Sequence, residues 1–291
     1  MNKVNNRQTK GNLLILGTAF LWSFMGIITK AVSYHAMTVT GISSIMALFV
    51  LLICNRKHTW RITPLALWTG VVTAVAHICF MVANKHTTVT NAIVLQYSSP
   101  IFVVLYYRIF QKRKLKRQQL LAVGVCFIAL ILFFAGELTF RNMFGNAMAM
   151  LSGICFAGEF YLCAKPENDA VLAHVFSHVI CIAVCLGYTG VFVWQEYDWK
   201  QTGLVLMSGF LCIGIAAVAY TVGIQMTTAL NANLIAMSEV VMAPLWAFLL
   251  FEEKAGSWPA AVLMIGAIVY EIWFEAKEAE RTGKQREGRE I

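Results

Sequence analysis

Long apolar segments recur along the whole chain, and short polar segments separate them. A helix needs about 20 predominantly apolar residues to cross the hydrocarbon core of a bilayer. Ten segments approach that length, the first of which is too long for the apolar part of a cleaved signal peptide. We therefore predict ten membrane-spanning helices, at residues 12–32, 39–54, 64–83, 90–110, 119–135, 145–163, 170–194, 202–224, 230–250 and 258–275.

Two of these segments carry the same polar pattern 140 residues apart. Residues 87–110 read TTVTNAIVLQYSSPIFVVLYYRIF, and residues 227–251 read TTALNANLIAMSEVVMAPLWAFLLF. The shared positions are Thr87 with Thr227, Thr88 with Thr228, Asn91 with Asn231, Ala92 with Ala232 and Ser98 with Ser238, while Ser99 falls on Glu239. A Gly-Asn pair, at 11–12 and at 145–146, also opens the first and sixth spans. Such self-similarity indicates two copies of one unit.

Each copy contains five predicted spans, so the second copy must enter the membrane from the side opposite to the first. Inverted repeats of this kind are typical of transporters, in which two conformations of similar energy open a central site to either face. The predicted fold is an all-α integral membrane protein whose ten transmembrane helices form two inverted five-helix repeats. The predicted units are residues 1–137, residues 138–275 and a charged cytoplasmic tail at 276–291.

Charged residues are scarce and unevenly placed. The chain is 59% hydrophobic and only 13% charged, which excludes a soluble globular protein of this size. With the N-terminus inside, 17 lysines and arginines lie in the predicted inner segments and four lie in the outer ones. By the positive-inside rule both termini are expected in the cytoplasm. The net charge of +8 therefore requires no nucleic-acid partner.

Cysteine and histidine give no pattern of a metal or disulfide site. The eight cysteines lie within or at the ends of apolar segments without a CxxC pair, so they are interpreted as reduced packing residues. His174 and His178 stand one helical turn apart in the seventh span, as a zinc pair would, but no third ligand follows nearby. Packing or hydrogen bonding is expected for them, and neither a metal nor a cofactor is predicted.

Several short motifs appear in a fixed order along the two halves. They are LWSFMGIITKA at 21–31, KHTTVTNA at 85–92 with Pro100 after it, QMTTALNA at 225–232, and SEVVMAPLW at 238–246 followed by FEE at 251–253. In these motifs the chain resembles the EamA-type permeases of the drug/metabolite transporter superfamily. The resemblance implies a ten-helix bundle that moves a small metabolite or drug, often outward, by alternating access.

Two carboxylates lie inside predicted spans, Glu159 in the sixth and Glu239 in the ninth. An ionised side chain at the bilayer centre costs about 2.5–3.5 kcal/mol on insertion scales, so such residues face a protein interior or an aqueous cavity. Both are candidate substrate-binding residues. The alternatives are a structural carboxylate bonded to a neighbouring helix for Glu239, and a gate or interfacial group for Glu159.

Neutral polar and aromatic side chains complete the candidate site. His77 lies on a polar stripe of the third span and titrates near neutral pH, although a lone buried histidine is more often a packing residue. Trp22 offers an aromatic wall, with packing as its alternative. Polar groups that can orient a metabolite are Gln96, Tyr97 and Ser98 in the fourth span, Tyr220 in the eighth and Asn231 in the ninth. The expected cavity lies among spans one, three, four, six, eight and nine.

Embedded acids without an assured embedded base favour a cationic or zwitterionic substrate, such as an amino acid or amine. Lys30, near the outer end of the first span, would counter this preference if it reached the cavity. We predict a non-enzymatic transporter of the cytoplasmic membrane that works as an exporter. Its expected partners are the bilayer, a small-molecule substrate and coupling protons, and the expected state is a monomer or homodimer. The alternatives are a membrane sensor or assembly protein with a permease fold and, third, an intramembrane enzyme.

Overall fold

Helices form all of the regular structure in the part of the chain that the computed structural model describes, namely residues 3–25, 28, 31–135, 138, 141–193, 196–251 and 257–287. The first half contains α1 (Lys3–Trp22), α2 (Ala36–Cys54), α3 (Pro64–His86), α4 (Val89–Gln96), α5 (Ser99–Phe110) and α6 (Arg117–Phe133). The second half contains α7 (Met143–Cys163), α8 (Ala170–Cys181), α9 (Gly187–Phe192), α10 (Trp199–Ser208), α11 (Ala216–Ile224), α12 (Ala229–Ala236), α13 (Ser238–Phe251) and α14 (Trp258–Glu287). Two π-helical turns, Ile182–Leu186 and Gly209–Ile215, join α8 to α9 and α10 to α11.

Seven of these helical segments are long and apolar enough to cross a membrane. They are Ala36–Cys54, Pro64–His86, Thr90–Phe110, Met143–Cys163, Ala170–Phe192, Trp199–Ile224 and Trp258–Glu278, and each matches a predicted span. The shorter apolar helix α6 lies where the fifth span is predicted. Helix α1 begins before the first predicted span and ends within it, and α12 and α13 together follow the ninth. The all-helical membrane class is confirmed, and the count of ten spans stays a prediction.

The distribution of side chains is that of a protein dissolved in lipid. Large apolar residues face outward along the helices, for example Trp68, Ile109 and Trp273, whose side chains are 61%, 62% and 55% exposed. Small and polar residues such as Ser43 and Thr73 are buried between helices. Without a hydrophobic drive between helices in lipid, such small residues allow close packing and interhelical hydrogen bonds.

Two helices break in the middle of their spans, at positions related by the 140-residue repeat. Helix α4 ends at Gln96 and α5 begins at Ser99, where Pro100 in the first turn has no N–H to donate. Helix α12 ends at Ala236 and α13 begins at Ser238. The breaks leave Tyr97 and Ser98 in one half, and Met237 in the other, outside regular helix.

Two matching groups of hydrogen bonds, here called the first and second clasp, join the halves to each other. In the first clasp Asn146 Oδ1 accepts from Thr87 Oγ1 at 2.6 Å and from Asn91 Nδ2 at 3.0 Å. In the second, Asn12 Oδ1 accepts from Thr227 Oγ1 at 2.7 Å and from Asn231 Nδ2 at 3.0 Å. In each clasp the first helix of one half therefore holds the junction between the third and fourth predicted spans of the other half.

Helix packing also joins the first helix of each half to helices of the other half. Helix α7 packs on α3 and α4, and α1 packs on α11 and α12. The glycine before each clasp asparagine permits this approach: a Cβ on Gly145 would lie 2.5 Å from the carbonyl carbon of His86, and one on Gly11 would lie 2.7 Å from Met226 Cβ. Helices α6 and α14 pair with each other beside this core.

Replacement of Gly145 by alanine is expected to lower the stability of the protein by roughly 1–3 kcal/mol, the usual cost of overpacking a close contact. The added methyl group meets backbone atoms of the α3–α4 junction, which cannot move without loss of the first clasp. Thermal unfolding of the purified protein measures the effect. Gly124→Ala in α6 is the matched control, because its Cβ meets nothing within 4 Å; equal melting temperatures for the two variants would contradict the prediction.

Candidate functional site

The two helix breaks meet at one hydrogen bond. Tyr97, which follows α4, donates its hydroxyl proton to Glu239 Oε2 in the first turn of α13. Tyr97 is buried and Glu239 is partly buried. The Val240 N–H at this helix start bonds to the Met237 carbonyl at 3.0 Å, so the Tyr97 hydroxyl is the group that donates to the carboxyl of Glu239.

Other polar groups at the first break are bound within the protein. Ser98 Oγ donates to the Leu95 carbonyl at 2.6 Å. Gln96 Nε2 donates to Ser152 Oγ at 3.1 Å, and Ser152 in turn donates to the Ala76 carbonyl at 2.8 Å. These bonds hold the end of α4 against α7 and α3. Gln96 and Ser98 therefore lie beside the Tyr97–Glu239 pair with their hydrogen-bonding groups occupied.

A line of aromatic rings leads away from this pair. The Tyr97 ring lies 5.9 Å from the ring of Phe156, and Phe156 lies 5.9 Å from Trp22. Trp22 lies 6.0 Å from Tyr220, whose hydroxyl is buried with no hydrogen-bond partner among the described residues. Helices α1, α7 and α11 each contribute one of these rings, so the line crosses the interface between the halves.

A second carboxylate stands at the far end of the rings. Tyr220 lies 5.0 Å from the imidazole of His174, and His174 Nε2 lies 3.4 Å from Glu159 Oε1. Glu159 is fully buried, and neither of its oxygens has a hydrogen-bond partner among the described residues. The sequence predicts Glu159 as a site residue, but its pairing with His174 is found only in the folded chain.

His77 lies with this second carboxylate and not with Glu239. Its ring stacks 6.1 Å from that of His178, and it interacts electrostatically with Glu159 and His174. Asn231 lies elsewhere, since its amide bonds Asn12 and Thr227 in the second clasp.

The structure thus brings only some of the predicted site residues together. The residues brought together by the bond and the ring line are Trp22, Tyr97, Glu159, Tyr220 and Glu239, with His77 beside Glu159. His174 and Phe156 belong to the same arrangement and were not predicted for it. Lys30, the base that would counter a cationic substrate, lies outside the described residues.

Two other features mark the limits of the site. A cavity of about 450 Å³ lies between the ends of α5 and α7, and its lining, which includes Tyr107, Tyr161 and Lys165, contains none of the predicted site residues. No group of three or more histidine, cysteine, aspartate or glutamate side chains is arranged to hold a metal ion within the described part of the chain.

Asp169 positions the helix that carries His174. It caps the N-terminus of α8 by accepting from the Leu172 N–H at 3.0 Å, and it also accepts from the Arg61 N–H at 3.1 Å. His58 Nε2 lies 2.9 and 3.0 Å from its two oxygens. Burial raises the pKa of Asp169, but the hydrogen bonds from Leu172, His58 and Arg61 outweigh burial and hold the pKa below its ordinary value of 3.8.

The fold and the site define a polytopic membrane protein with interrupted helices and buried carboxylates at its centre. Residues 9–135 match the model of the EamA-like transporter family. This match covers the first predicted repeat and agrees with the resemblance of the motifs to the drug/metabolite transporter superfamily, which suggests a membrane transporter of that type.

Comparison with curated proteins gave no match. A protein of known crystal structure superposes on this one with a TM-score of 0.78 at 14% sequence identity, over 89% of this chain and 97% of that one. At this identity the likeness shows a shared fold and nothing about the substrate.

Asp169→Asn is expected to destabilise the protein at neutral pH, because asparagine still caps α8 but loses the charge that faces His58. The lowered pKa of Asp169 means that its charge stabilises the fold fully above the ordinary value of 3.8 and that this contribution disappears as the pH falls through the lower folded value. The melting temperatures of wild type and variant should therefore differ at neutral pH and converge in strong acid. A difference that persists unchanged into strong acid would contradict this account.

Proposed function

We propose that the protein exports a small cationic or zwitterionic metabolite, an amino acid or amine, across the cytoplasmic membrane by alternating access. The observation that carries the proposal is the Tyr97–Glu239 bond, which sets a carboxylate between two interrupted helices. Half-helix ends near the membrane midplane are where transporters of inverted-repeat design bind substrate.

The charge of the site supports the choice of substrate. Its acidic members are Glu239 and Glu159, and no lysine or arginine contacts either of them among the described residues. An ammonium group can replace the Tyr97 hydroxyl at Glu239, and the adjoining rings of Phe156 and Trp22 present faces that attract cations. An anion would bring like charge to a carboxylate in a low-dielectric setting.

The proposed architecture is ten spans in two inverted five-helix repeats, residues 1–137 and 138–275, followed by a charged tail. Its support is the equivalence of the two halves: each has a break at the same repeat position, a clasp built from Asn, Thr and Asn, and a glycine at the close approach. Similar halves in opposite orientation would let one fold adopt two mirror-related states of comparable energy.

The proposed orientation places both termini in the cytoplasm. Segments predicted on the inner side contact one another: Arg7 donates to the Gln225 carbonyl at 3.2 Å, His58 meets Asp169, and Lys116 pairs with Glu278 on α14. These contacts collect the basic segments at one end of the bundle, where the positive-inside rule predicts the cytoplasm.

Glu239→Gln is expected to weaken binding of the cognate amine or amino acid at least about tenfold, which is 1.4 kcal/mol. Tyr97→Phe keeps the ring and removes only the hydroxyl that the ammonium group would replace, so it should not weaken binding. The assay is thermal unfolding of purified protein against amines, amino acids, nucleobases and organic acids. A ligand at 100 times its Kd raises the free energy of unfolding by about 2.7 kcal/mol.

Glu271→Gln is the matched control for this assay. Glu271 is a fully buried carboxylate on α14, with Gln119 Nε2 at 3.4 Å from its Oε1, and it has no ring contact with the ring line among the described residues. The control should retain the full ligand response. Stabilisation by an organic acid and by no amine would overturn the proposed substrate class, and an unchanged response in Glu239→Gln would remove Glu239 from the site.

A further inference from the structure

The state of protonation of His174 follows from its hydrogen bonds. His174 Nδ1 lies 3.0 Å from the Ala170 carbonyl oxygen. A carbonyl oxygen can only accept, so Nδ1 carries a proton in both the neutral and the charged imidazole. Nε2, which faces Glu159 at 3.4 Å, is therefore the nitrogen that gains or loses a proton.

If His174 were neutral and Glu159 ionised, His174 Nε2 and Glu159 Oε1 would face each other as two hydrogen-bond acceptors with no proton between them. Glu159 is fully buried and His174 is 3% exposed, so water does not separate them freely. A buried carboxylate without donors is strongly disfavoured. One additional proton resolves the conflict, either on the carboxyl group, which then donates to Nε2, or on Nε2, which then donates to the carboxylate.

Among the described residues, the groups around the pair supply no fixed positive charge in place of that proton. Titratable side chains that interact with Glu159 are His77 from α3, Cys155 and Cys163 from its own helix, and Tyr220 from α11. From the segments that pack elsewhere on α7, Tyr97 contacts Phe156 and Tyr106 contacts Ile154 and Tyr161. None of these groups is a lysine or arginine.

Two further imidazoles extend from the pair towards α2. His77 stacks with His178 at 6.1 Å, and His178 Nδ1 lies 3.3 Å from Ser44 Oγ. His178 Nε2 is buried and has no hydrogen-bond partner among the described residues. Imidazole rings therefore continue from the pair through His77 and His178 to Ser44 of α2.

We propose that Glu159 and His174 form a buried proton-binding site, separate from the Tyr97–Glu239 pair, that holds one shared proton. Resting on the proposed function, this site is the coupling site of the transporter: substrate charge is met at Glu239 and the proton is held at Glu159 and His174. The ring line from Tyr97 through Phe156, Trp22 and Tyr220 connects the two, so a displacement at either end changes the packing at the other.

The test is infrared difference spectroscopy of the full-length protein in lipid nanodiscs, between acidic and alkaline buffer, with histidine isotopically labelled and the proton as the only ligand. The wild type should show a carboxyl signal and an imidazole signal that change together over the same pH range. Glu159→Gln should lose that carboxyl signal. His174→Gln should keep Glu159 protonated throughout, so that the signal no longer depends on pH.

Glu271→Gln is again the matched control and should retain the coupled carboxyl and imidazole changes. Titration of the two wild-type signals independently, or the absence of any pH-dependent carboxyl signal, overturns the proposal even if the variants do not fold. So does an unchanged spectrum in Glu159→Gln. Because no substrate is added, failure of amines to bind would contradict the proposed function and leave this result standing, and the reverse outcome would contradict only the proton site.

Discussion

A helix that stops in the middle of a bilayer leaves peptide groups without partners, and lipid offers none. Two such interruptions, related by the repeat, lie in the part of the chain that the structure describes, after Gln96 and after Ala236, and the surrounding helices cover both. Helix α7 lies against the first and α1 against the second, each from the opposite half of the chain. A Cβ on Gly153 of α7 would lie 2.7 Å from the Leu95 carbonyl oxygen, so this glycine permits the close approach that covers the first break.

The same interruptions explain why charge is tolerated in the interior. Glu239 lies in the first turn of α13, where the Tyr97 hydroxyl donates a hydrogen bond to its side chain. Glu159 lies inside an unbroken helix and has no such help, so it depends on a neighbouring imidazole. Two acids of identical chemistry thus stand in different environments, as the different roles proposed for them require.

Much of the fold could be predicted from the sequence, because a helix that crosses a bilayer must be long and apolar. Segments of bilayer length predicted seven helices that the structure contains as candidate spans, and Tyr97 and Glu239, which lie at the two breaks, were predicted as site residues. Contacts between helices were not accessible from the sequence. Glu159 and His174 are separated by a loop and lie on different helices, so no spacing rule joins them, and nothing in the Asn231 motif distinguishes a clasp from a site wall.

The crossed clasps have a consequence for synthesis. Asn12 emerges from the ribosome early, but its partners Thr227 and Asn231 follow more than 200 residues later. The first helix must therefore wait in the membrane, incompletely packed, until most of the protein has been inserted. Asn146, by contrast, finds Thr87 and Asn91 already in place. The order of translation therefore makes the two clasps unequal. The first clasp can form as soon as α7 is inserted, whereas the second forms only near the end of synthesis and uses α1, the first helix to be made.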